Sequence, residues 1–136
     1  EQKKKYAVLS YPYSLQEIIC LTSALTFGEE LDIIASERKP YASEEGFQIT
    51  PNKTVDEAEP SNYACNILPG AIYPLHALFD EKLIGFLRRG KGTDTLFASI
   101  SSSPAPLCKA GLLTEDFTAI GMFFREFAQA VLNRLG

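Results

Sequence analysis

A short serine-rich stretch carries the residue spacing that most directly suggests chemistry. Residues 99–104 read SISSSP, so the small residues Ser99 and Ser103 stand two positions before and after Ser101. This is the spacing of a nucleophile elbow, a sharp strand-to-helix turn in which bulky neighbours would collide with strained backbone. The helix after such a turn offers free backbone N–H groups to a developing oxyanion. Ser101 is therefore the candidate nucleophile, with Ser102 beside it as a candidate binding group.

His76 is the only histidine in the chain and therefore its only imidazole. It follows a predicted strand that ends at Pro69-Gly70, which places it at the same sheet edge as Ser101. A base and nucleophile pair of His76 and Ser101 is geometrically conceivable. A lone histidine near a helix start is also an ordinary surface residue, and no acidic residue can be assigned to orient this one. The chain has no cluster of ligands with metal-binding spacing, so we expect neither a metal nor a cofactor.

Alternating strand and helix patterns must position these residues. Short apolar runs predict strands at 6–10, 31–35, 63–68 and 95–100. Helical spacing of apolar residues, together with capping signals, predicts helices after Ser14, at 80–89, at 104–110 and at 124–135. The segment 47–55, interrupted by Pro51, predicts short edge strands or extended chain rather than core. Such alternation is typical of an open, mostly parallel α/β sheet whose ligand site lies at the carboxyl ends of its strands.

Composition and charge restrict the class of protein. The 136 residues suit one domain, and 13 Lys plus Arg against 17 Asp plus Glu give a net charge of −4. This net negative charge excludes an overall positive electrostatic potential that would attract nucleic acid or anionic lipid. No apolar run approaches the roughly 18 residues that span a bilayer. Cys20, Cys65 and Cys108 are far apart in apolar stretches, as expected for small core residues in a reducing cytoplasm.

The ordered motifs of the chain resemble those of the ThiJ/PfpI family, the intracellular protease/amidase-like branch of the class I glutamine amidotransferase-like fold. The matching pieces are AVLSYP with SLQEI, EEGFQITPNKTVDE, YACNILPG, ISSSP with KAGLL, and TAIGMFFREFA. The resemblance implies a flavodoxin-like three-layer α/β sandwich with a mostly parallel sheet, formed by residues 1–136 as a single domain. It also implies a homodimer.

The resemblance carries over to individual residues unevenly. Ser101 falls where the family usually has its nucleophilic cysteine, and Ser102 falls where the family sometimes has histidine. The family commonly places an acidic side chain in the turn after the first strand. In this chain Glu17 matches that position, or Ile18 if the match shifts by one residue. Glu17 is equally explained as the capping-box partner of Ser14.

A loop after the third strand also matches the family. Gly70 and Ala71 correspond to the loop whose backbone N–H helps to form an oxyanion hole in the family. A Pro-Gly turn that simply ends a buried strand explains Gly70 just as well.

The chain is also shorter than the family pattern near its end. The family normally has a few tens of residues between the pieces that match KAGLL and TAIGMFFREFA, whereas here little more than residues 114–117 stands between them. Either the domain is truly shortened here, or a segment after about residue 113 is omitted from this sequence. We favour omission, because true loss of the segment would expose apolar faces of the sheet and of the last helix.

Two functions from different classes follow from these residues. The favoured hypothesis is a catalytically degenerate member that has lost the elbow cysteine and binds a small molecule or a protein partner. A serine hydroxyl needs an adjacent general base, and none is convincing here. The alternative is a hydrolase, amidase or glyoxalase/deglycase-type enzyme that uses Ser101 as its nucleophile. A flavodoxin-like signalling or cofactor domain is disfavoured, because residues 11–14 read YPYS rather than a phosphate-binding loop rich in Gly, Ser or Thr.

Overall fold

A five-stranded parallel sheet forms the centre of the molecule. The computed structural model describes residues 5–9, 30–43, 45–69, 79–99, 104–112, 129, 131 and 133–134. Its strands are β1 (Lys5–Leu9), β2 (Glu30–Ala35), β3 (Tyr41–Ala42), β4 (Gln48–Ile49), β5 (Lys53–Thr54), β6 (Cys65–Leu68) and β7 (Leu96–Ser99). The described helices are α1 (Glu81–Arg89), α2 (Pro104–Lys109) and a 3-10 turn (Pro60–Asn62). The sheet has the order β5-β2-β1-β6-β7, while β3 and β4 form a separate antiparallel hairpin.

β1 pairs with a parallel neighbour on each side. Val8 is in register with Ile33 of β2 and with Ile67 of β6. All four residues of β6 are buried, as is Ala7 of β1. Strands covered on both faces read as continuous apolar runs, and this is why the runs in the sequence predicted them correctly. The parallel α/β sheet expected from the sequence is confirmed.

Helix α1 begins and ends where its sequence predicts. Asp80 is its N-cap, and the carboxylate accepts a hydrogen bond from the backbone N–H of Leu83 at 3.1 Å. The buried face consists of apolar side chains three and four residues apart, which pack onto the sheet. They are Leu83, Ile84, Phe86 and Leu87.

The end of α1 is held by a charged side chain as well as by packing. The Arg89 guanidinium donates hydrogen bonds to the backbone carbonyls of Val55 at 2.8 Å and Ala58 at 3.1 Å. At the next residue, Gly90, the helix terminates directly above Phe97 of β7. The sequence indicated only that cations favour a helix C-terminus. The structure shows that Arg89 also joins the helix to the segment after β5.

The boundaries of the other predicted elements differ only slightly from the structure. The third predicted strand is β6, and it begins at Cys65 rather than Tyr63. The reason is that the Tyr63 N–H bonds to the Pro60 carbonyl and closes the 3-10 turn. The predicted edge strands in segment 47–55 are confirmed as β4 and β5, but the expectation that the segment lies outside the core was wrong for Val55, which is buried in the hydrophobic core. The fourth predicted strand is β7, and the helix after Pro104 ends before Gly111, whose φ is +76°.

Two predicted helices fall partly or wholly outside the described residues. The helix after Ser14 lies entirely outside them. Within the predicted C-terminal helix, residues 129, 131, 133 and 134 are described, and all are helical. In the part of the chain that the structure describes, no helix has the length and apolar character needed to cross a membrane.

Substituting Gly90 tests how tightly α1 packs against β7. A Cβ at this position would lie 2.3 Å from Cζ of Phe97 and 3.2 Å from Cβ of Pro60, so the ring would have to move. We expect Gly90→Ala to lower the free energy of unfolding by about 1–3 kcal/mol, as for other overpacked sites. Urea denaturation measures this change.

Gly85 provides the matched control, because a Cβ there would meet no atom within 4 Å. Gly85→Ala lies inside the same helix and should leave stability unchanged or raise it by about 0.5–1 kcal/mol, since alanine is the better helix former. Equal stability of the two alanine variants would contradict the close contact between Gly90 and Phe97.

Candidate functional site

The strand order predicts a ligand-binding crevice at the carboxyl edge of the sheet. Within the sheet, the chain passes from β1 to β2 and β5 on one side of β1. It then returns to β6 and β7 on the other side of β1. The order therefore reverses between β1 and β6, which are direct neighbours. In open parallel sheets, ligands bind outside the carboxyl ends of the strands at such a reversal. The candidate site therefore lies beyond Leu9 and Leu68.

The elbow predicted around Ser101 has the expected elements on either side. The parallel strand β7 ends at Ser99, whose side chain is buried, and α2 begins at Pro104. A connection of four residues, 100–103, joins them. A strand followed by a short connection and a helix is the arrangement that a nucleophile elbow requires.

The sequence-predicted site residues themselves lie outside the described residues. They are Ser101, Ser102, Glu17, Gly70, Ala71 and His76. Described strand ends nevertheless precede most of them: Gly70 follows β6 and Pro69, and Ser101 follows β7. Their assembly into one site stays a prediction.

The two described cysteines do not supply a thiolate to this edge. Cys65 lies within β6 and is fully buried, and burial raises the pKa of its thiol to about 12. Such a thiol is protonated at neutral pH and is a poor nucleophile. Cys108 lies on α2 and is exposed, so its interpretation as a core residue was wrong. An apolar sequence neighbourhood does not determine which face of a short helix is buried.

A polar contact that the sequence did not reveal lies at the same edge of the sheet. Ser36 directly follows β2, and its hydroxyl donates a hydrogen bond of 2.5 Å to the Asp80 carboxylate. Asp80 thus joins the start of α1 to the end of β2 while it caps the helix. The sequence marked Asp80 only as a helix start, and no pattern linked it to Ser36, because the two residues are 44 positions apart.

A cavity of about 240 Å³ opens on the side of the sheet near β5. Its lining residues are Lys53, Glu57, Ala58, Glu59, Asn62 and Tyr63. Next to it, the Asp32 carboxylate accepts hydrogen bonds from the Tyr63 hydroxyl at 2.7 Å and the Asn52 amide at 2.9 Å. The Lys53 ammonium lies 3.2 Å from the same carboxylate. Burial by itself would raise the pKa of Asp32, but the hydrogen bonds from Tyr63, Asn52 and Lys53 outweigh it and lower the pKa.

The charged groups around this cavity are paired within the chain. Arg38 donates to both carboxylate oxygens of Glu57, at 2.6 and 2.5 Å, and the Nε of Arg89 lies 3.4 Å from Glu59. Burial and the hydrogen bond to Asp32 raise the pKa of Tyr63, so its hydroxyl stays protonated and acts as a donor. A catalytic base needs a free acceptor with a pKa near the working pH. The Asp32 cluster therefore connects β2, β5 and the 3-10 turn before β6 rather than performing acid–base chemistry.

Asn66 is a second buried polar residue that sequence reasoning missed. It is fully buried in β6, and its amide donates to the Pro60 carbonyl at 3.2 Å and the Thr95 hydroxyl at 2.8 Å. Its carbonyl oxygen has no hydrogen-bond partner among the described residues. A buried acceptor left unpaired costs about 1–3 kcal/mol. Within the described ranges, no group of three or more His, Cys, Asp or Glu side chains is placed to hold a metal ion.

Comparison with known families gives one match that covers most of the chain. The profile of the DJ-1/PfpI family matches residues 4–129. Among curated proteins, Deglycase PH1704 from Pyrococcus horikoshii is 28% identical over 86 residues, covering 63% of this chain and 52% of the relative. The chain therefore spans about half the length of that relative.

Solved structures share the fold at low sequence identity. A two-domain protein from Anabaena variabilis, with DJ-1/ThiJ/PfpI-like and ferritin-like domains, matches with a TM-score of 0.86 and 20% identity, covering 98% of this chain and 50% of that chain. A ThiJ/PfpI family protein from Pseudomonas syringae matches with a TM-score of 0.80 and 20% identity, covering 98% and 69%. Drosophila melanogaster DJ-1beta matches with a TM-score of 0.76 and 15% identity, covering 98% and 91%. The flavodoxin-like α/β fold expected from the sequence is confirmed.

The Asp32 cluster predicts a pH dependence of stability. Because the pKa of Asp32 is lowered from 3.8 in the folded protein, its stabilising effect is complete above that value and disappears as the pH falls through the folded pKa. We expect Asp32→Asn to lower the free energy of unfolding by about 1–3 kcal/mol at neutral pH. The reason is that the amide NH₂ of asparagine would face the donor groups of Asn52 and Lys53, to which it cannot act as an acceptor. This loss should shrink as the pH falls below 3.8 and through the lowered folded pKa of Asp32.

Urea denaturation at neutral and acidic pH measures the effect, and Asp56→Asn is the matched control. Asp56 is 67% exposed and its carboxylate lies 3.6 Å from the Lys82 ammonium, so its removal should change stability by less than about 0.5 kcal/mol. A loss in Asp32→Asn that is the same at both pH values would contradict the ionic role of Asp32.

Proposed function

Because the chain belongs to the DJ-1/PfpI family, we propose that it is a member without cysteine catalysis, which binds a small molecule or a protein partner at the carboxyl edge of its sheet. One observation carries this proposal. The residue between β7 and α2 that has the central position of the elbow spacing is Ser101. The motif resemblance stated above puts a nucleophilic cysteine at this position in the family.

Chemical differences between the two side chains support the proposal. A cysteine at an elbow becomes a thiolate when a helix N-terminus and neighbouring groups lower its pKa. The pKa of a serine hydroxyl is far too high for the same activation, so Ser101 would need a general base in contact with it. Neither described cysteine replaces the missing thiolate, because Cys65 is buried in β6 and Cys108 lies further along α2.

The predicted crevice at the strand ends would still suit ligand binding without thiolate catalysis. The reversal of strand order between β1 and β6 lies beside the elbow, and polar backbone groups at the strand ends can orient a small ligand. The homodimer implied by the family resemblance and the cytoplasmic location expected from the cysteines belong to the same proposal. Sedimentation equilibrium tests the dimer directly.

A serine-based enzyme is the second candidate, because the elbow spacing is intact and one relative is named a deglycase. In this alternative, Ser101 would attack an amide, ester or carbonyl carbon, with Glu17 or His76 as the base. The backbone of Gly70 and Ala71, together with Ser102, would stabilise the oxyanion. This serine-based mechanism requires that removal of the Ser101 hydroxyl abolishes turnover.

Exchanging the residue at position 101 tests the two functions against each other. We expect the wild type and Ser101→Ala to show the same background rate with methylglyoxal and with small amides and esters. Ser101→Cys should raise the rate by at least about tenfold, because it restores a group that an elbow can ionise. Initial rates at equal protein concentration measure the effect.

Ser61→Cys provides the matched control for an added thiol, because Ser61 is exposed in the 3-10 turn away from the carboxyl edge. It should leave the background rate unchanged. Covalent labelling of wild-type Ser101 by a fluorophosphonate, or a clear loss of rate in Ser101→Ala, would overturn the proposal and favour the serine enzyme.

A further inference from the structure

We propose that the cavity near β5 is a binding site for a small zwitterion, namely a free α-amino acid. The cavity has a volume of about 240 Å³, which is the space of about eight water molecules. The buried residues Ala58 and Tyr63 form its inner wall, and longer polar side chains form its rim. A concave site with few polar groups around a less polar wall is typical of sites for small ligands. None of these residues takes part in the function proposed above.

The walls of the cavity are fixed by contacts with the rest of the protein. One continuous segment, residues 53–63, supplies every lining residue. At its start, β5 pairs in parallel with β2. In its middle, the Arg89 guanidinium donates to two backbone carbonyls of the segment, at 2.8 and 3.1 Å. At its end, the Tyr63 hydroxyl donates to the Asp32 carboxylate at 2.7 Å. A site that is already formed in the free protein requires little ordering when a ligand binds.

Charges of both signs on the rim restrict the class of ligand. Lys53 carries an ammonium group, whereas Glu57 and Glu59 carry carboxylates. A simple anion would meet the two carboxylates, and a simple cation would meet the ammonium group. In the part of the chain that the structure describes, no group of His, Cys, Asp or Glu is placed to hold a metal ion. A molecule that carries both a carboxylate and an ammonium group matches both signs.

The ion pairs within the chain leave hydrogen-bonding capacity on this rim. The Lys53 ammonium lies 3.2 Å from Asp32, and only one of its three N–H donors is needed for that contact. The Nε of Arg89 lies 3.4 Å from Oε1 of Glu59, so Oε2 of Glu59 is not used by this pair. The Asn62 side chain is exposed and has no hydrogen bond to any described residue. A ligand carboxylate can therefore accept from Lys53 and Asn62, while a ligand ammonium donates to Glu59.

The arrangement of these groups favours two ligand charges that are close together. Glu59 and Asn62 lie on either side of the 3-10 turn, and the Asn62 N–H donates to the Glu59 carbonyl at 3.1 Å. Glu57 is less available as an acceptor, because Arg38 donates to both of its carboxylate oxygens. In an α-amino acid, the carboxylate and the ammonium group are attached to one carbon atom. The cavity volume leaves room for a side chain as small as that of serine.

A heteronuclear NMR titration of the intact protein with L-serine tests the site. We expect saturable shifts of backbone amide signals confined to residues 53–63, with a Kd of about 10 mM or below, as for a very small ligand. Serinamide lacks the carboxylate, and N-acetylserine lacks the ammonium group. Each should bind at least about fivefold more weakly than serine, because one charge-assisted hydrogen bond is lost. These two ligands also separate a free amino acid from the ends of a peptide chain.

Two variants at the rim test the assigned contacts. Asn62→Ala should weaken serine binding by about threefold or more, because it removes a hydrogen-bond donor. Glu59→Gln should weaken it by at least about fivefold, because the amide no longer offers a charged acceptor. Ser61→Ala, at an exposed serine of the same turn, and Asp56→Asn, which removes a negative charge from the same segment, are the matched controls. Neither residue lines the cavity, so both controls should bind serine as the wild type does.

Each outcome either supports the site or removes it. Saturable shifts confined to segment 53–63, weakened by both rim variants and by neither control, support it. The absence of saturable shifts, shifts centred outside this segment, or unchanged affinity in both rim variants would overturn it. Equal affinity for serinamide, N-acetylserine or glycerol would also overturn it, because the site would then not recognise a zwitterion. The ligand comparison uses the wild-type protein, so it decides the question even where a variant fails to fold.

Discussion

The parallel pairing of β1 with a strand on each side is the constraint on which the rest of the structure depends. Val8 is in register with Ile33 and Ile67, and this double pairing brings the carboxyl ends of three strands to one edge. Parallel neighbours require crossover connections, so the chain must leave and re-enter the sheet around β1. The candidate site beyond β1 and β6 is predicted from this path rather than from any single side chain.

Polar contacts at both ends of α1 orient the helix, which apolar packing alone holds against the sheet. Burial of Leu83 and Phe86 drives the helix onto the sheet but is not directional. Asp80 determines where the helix starts, and Arg89 determines what its end contacts. Gly90 then permits the approach to Phe97 that a larger residue would prevent. Together these contacts place the start of α1 beside the end of β2, and the far end of the helix lies about 10–15 Å away.

The described ionisable groups mostly stabilise the fold rather than perform chemistry. Asp32 binds three donors, Glu57 binds Arg38, and the Cys65 thiol is buried with a raised pKa. Reactive groups in enzymes usually have free acceptors and a pKa near the working pH. Among the described residues these groups supply no candidate for acid–base or nucleophilic chemistry, so the proposed function depends on the identity of residue 101.

The amino-acid sequence by itself determined the parallel α/β class, most strand positions and the extent of α1. These features depend on local patterns: the continuous apolar runs of β1 and β6, the cap at Asp80 and the small residue at Gly90. The elbow spacing around Ser101 is likewise local, so the sequence could nominate it. Whether Ser101, Glu17 and His76 meet in one site was not determined by such patterns.

Tertiary structure alone decided which distant residues meet. The contact of Ser36 with Asp80, the cluster around Asp32 and the place of β5 beside β2 join residues about 20 to 44 positions apart. The exposure of Cys108 also depends on how α2 lies against the rest of the protein. Local periodicity reports which face of an element is apolar, but the partner of a polar side chain is set by the path of the whole chain.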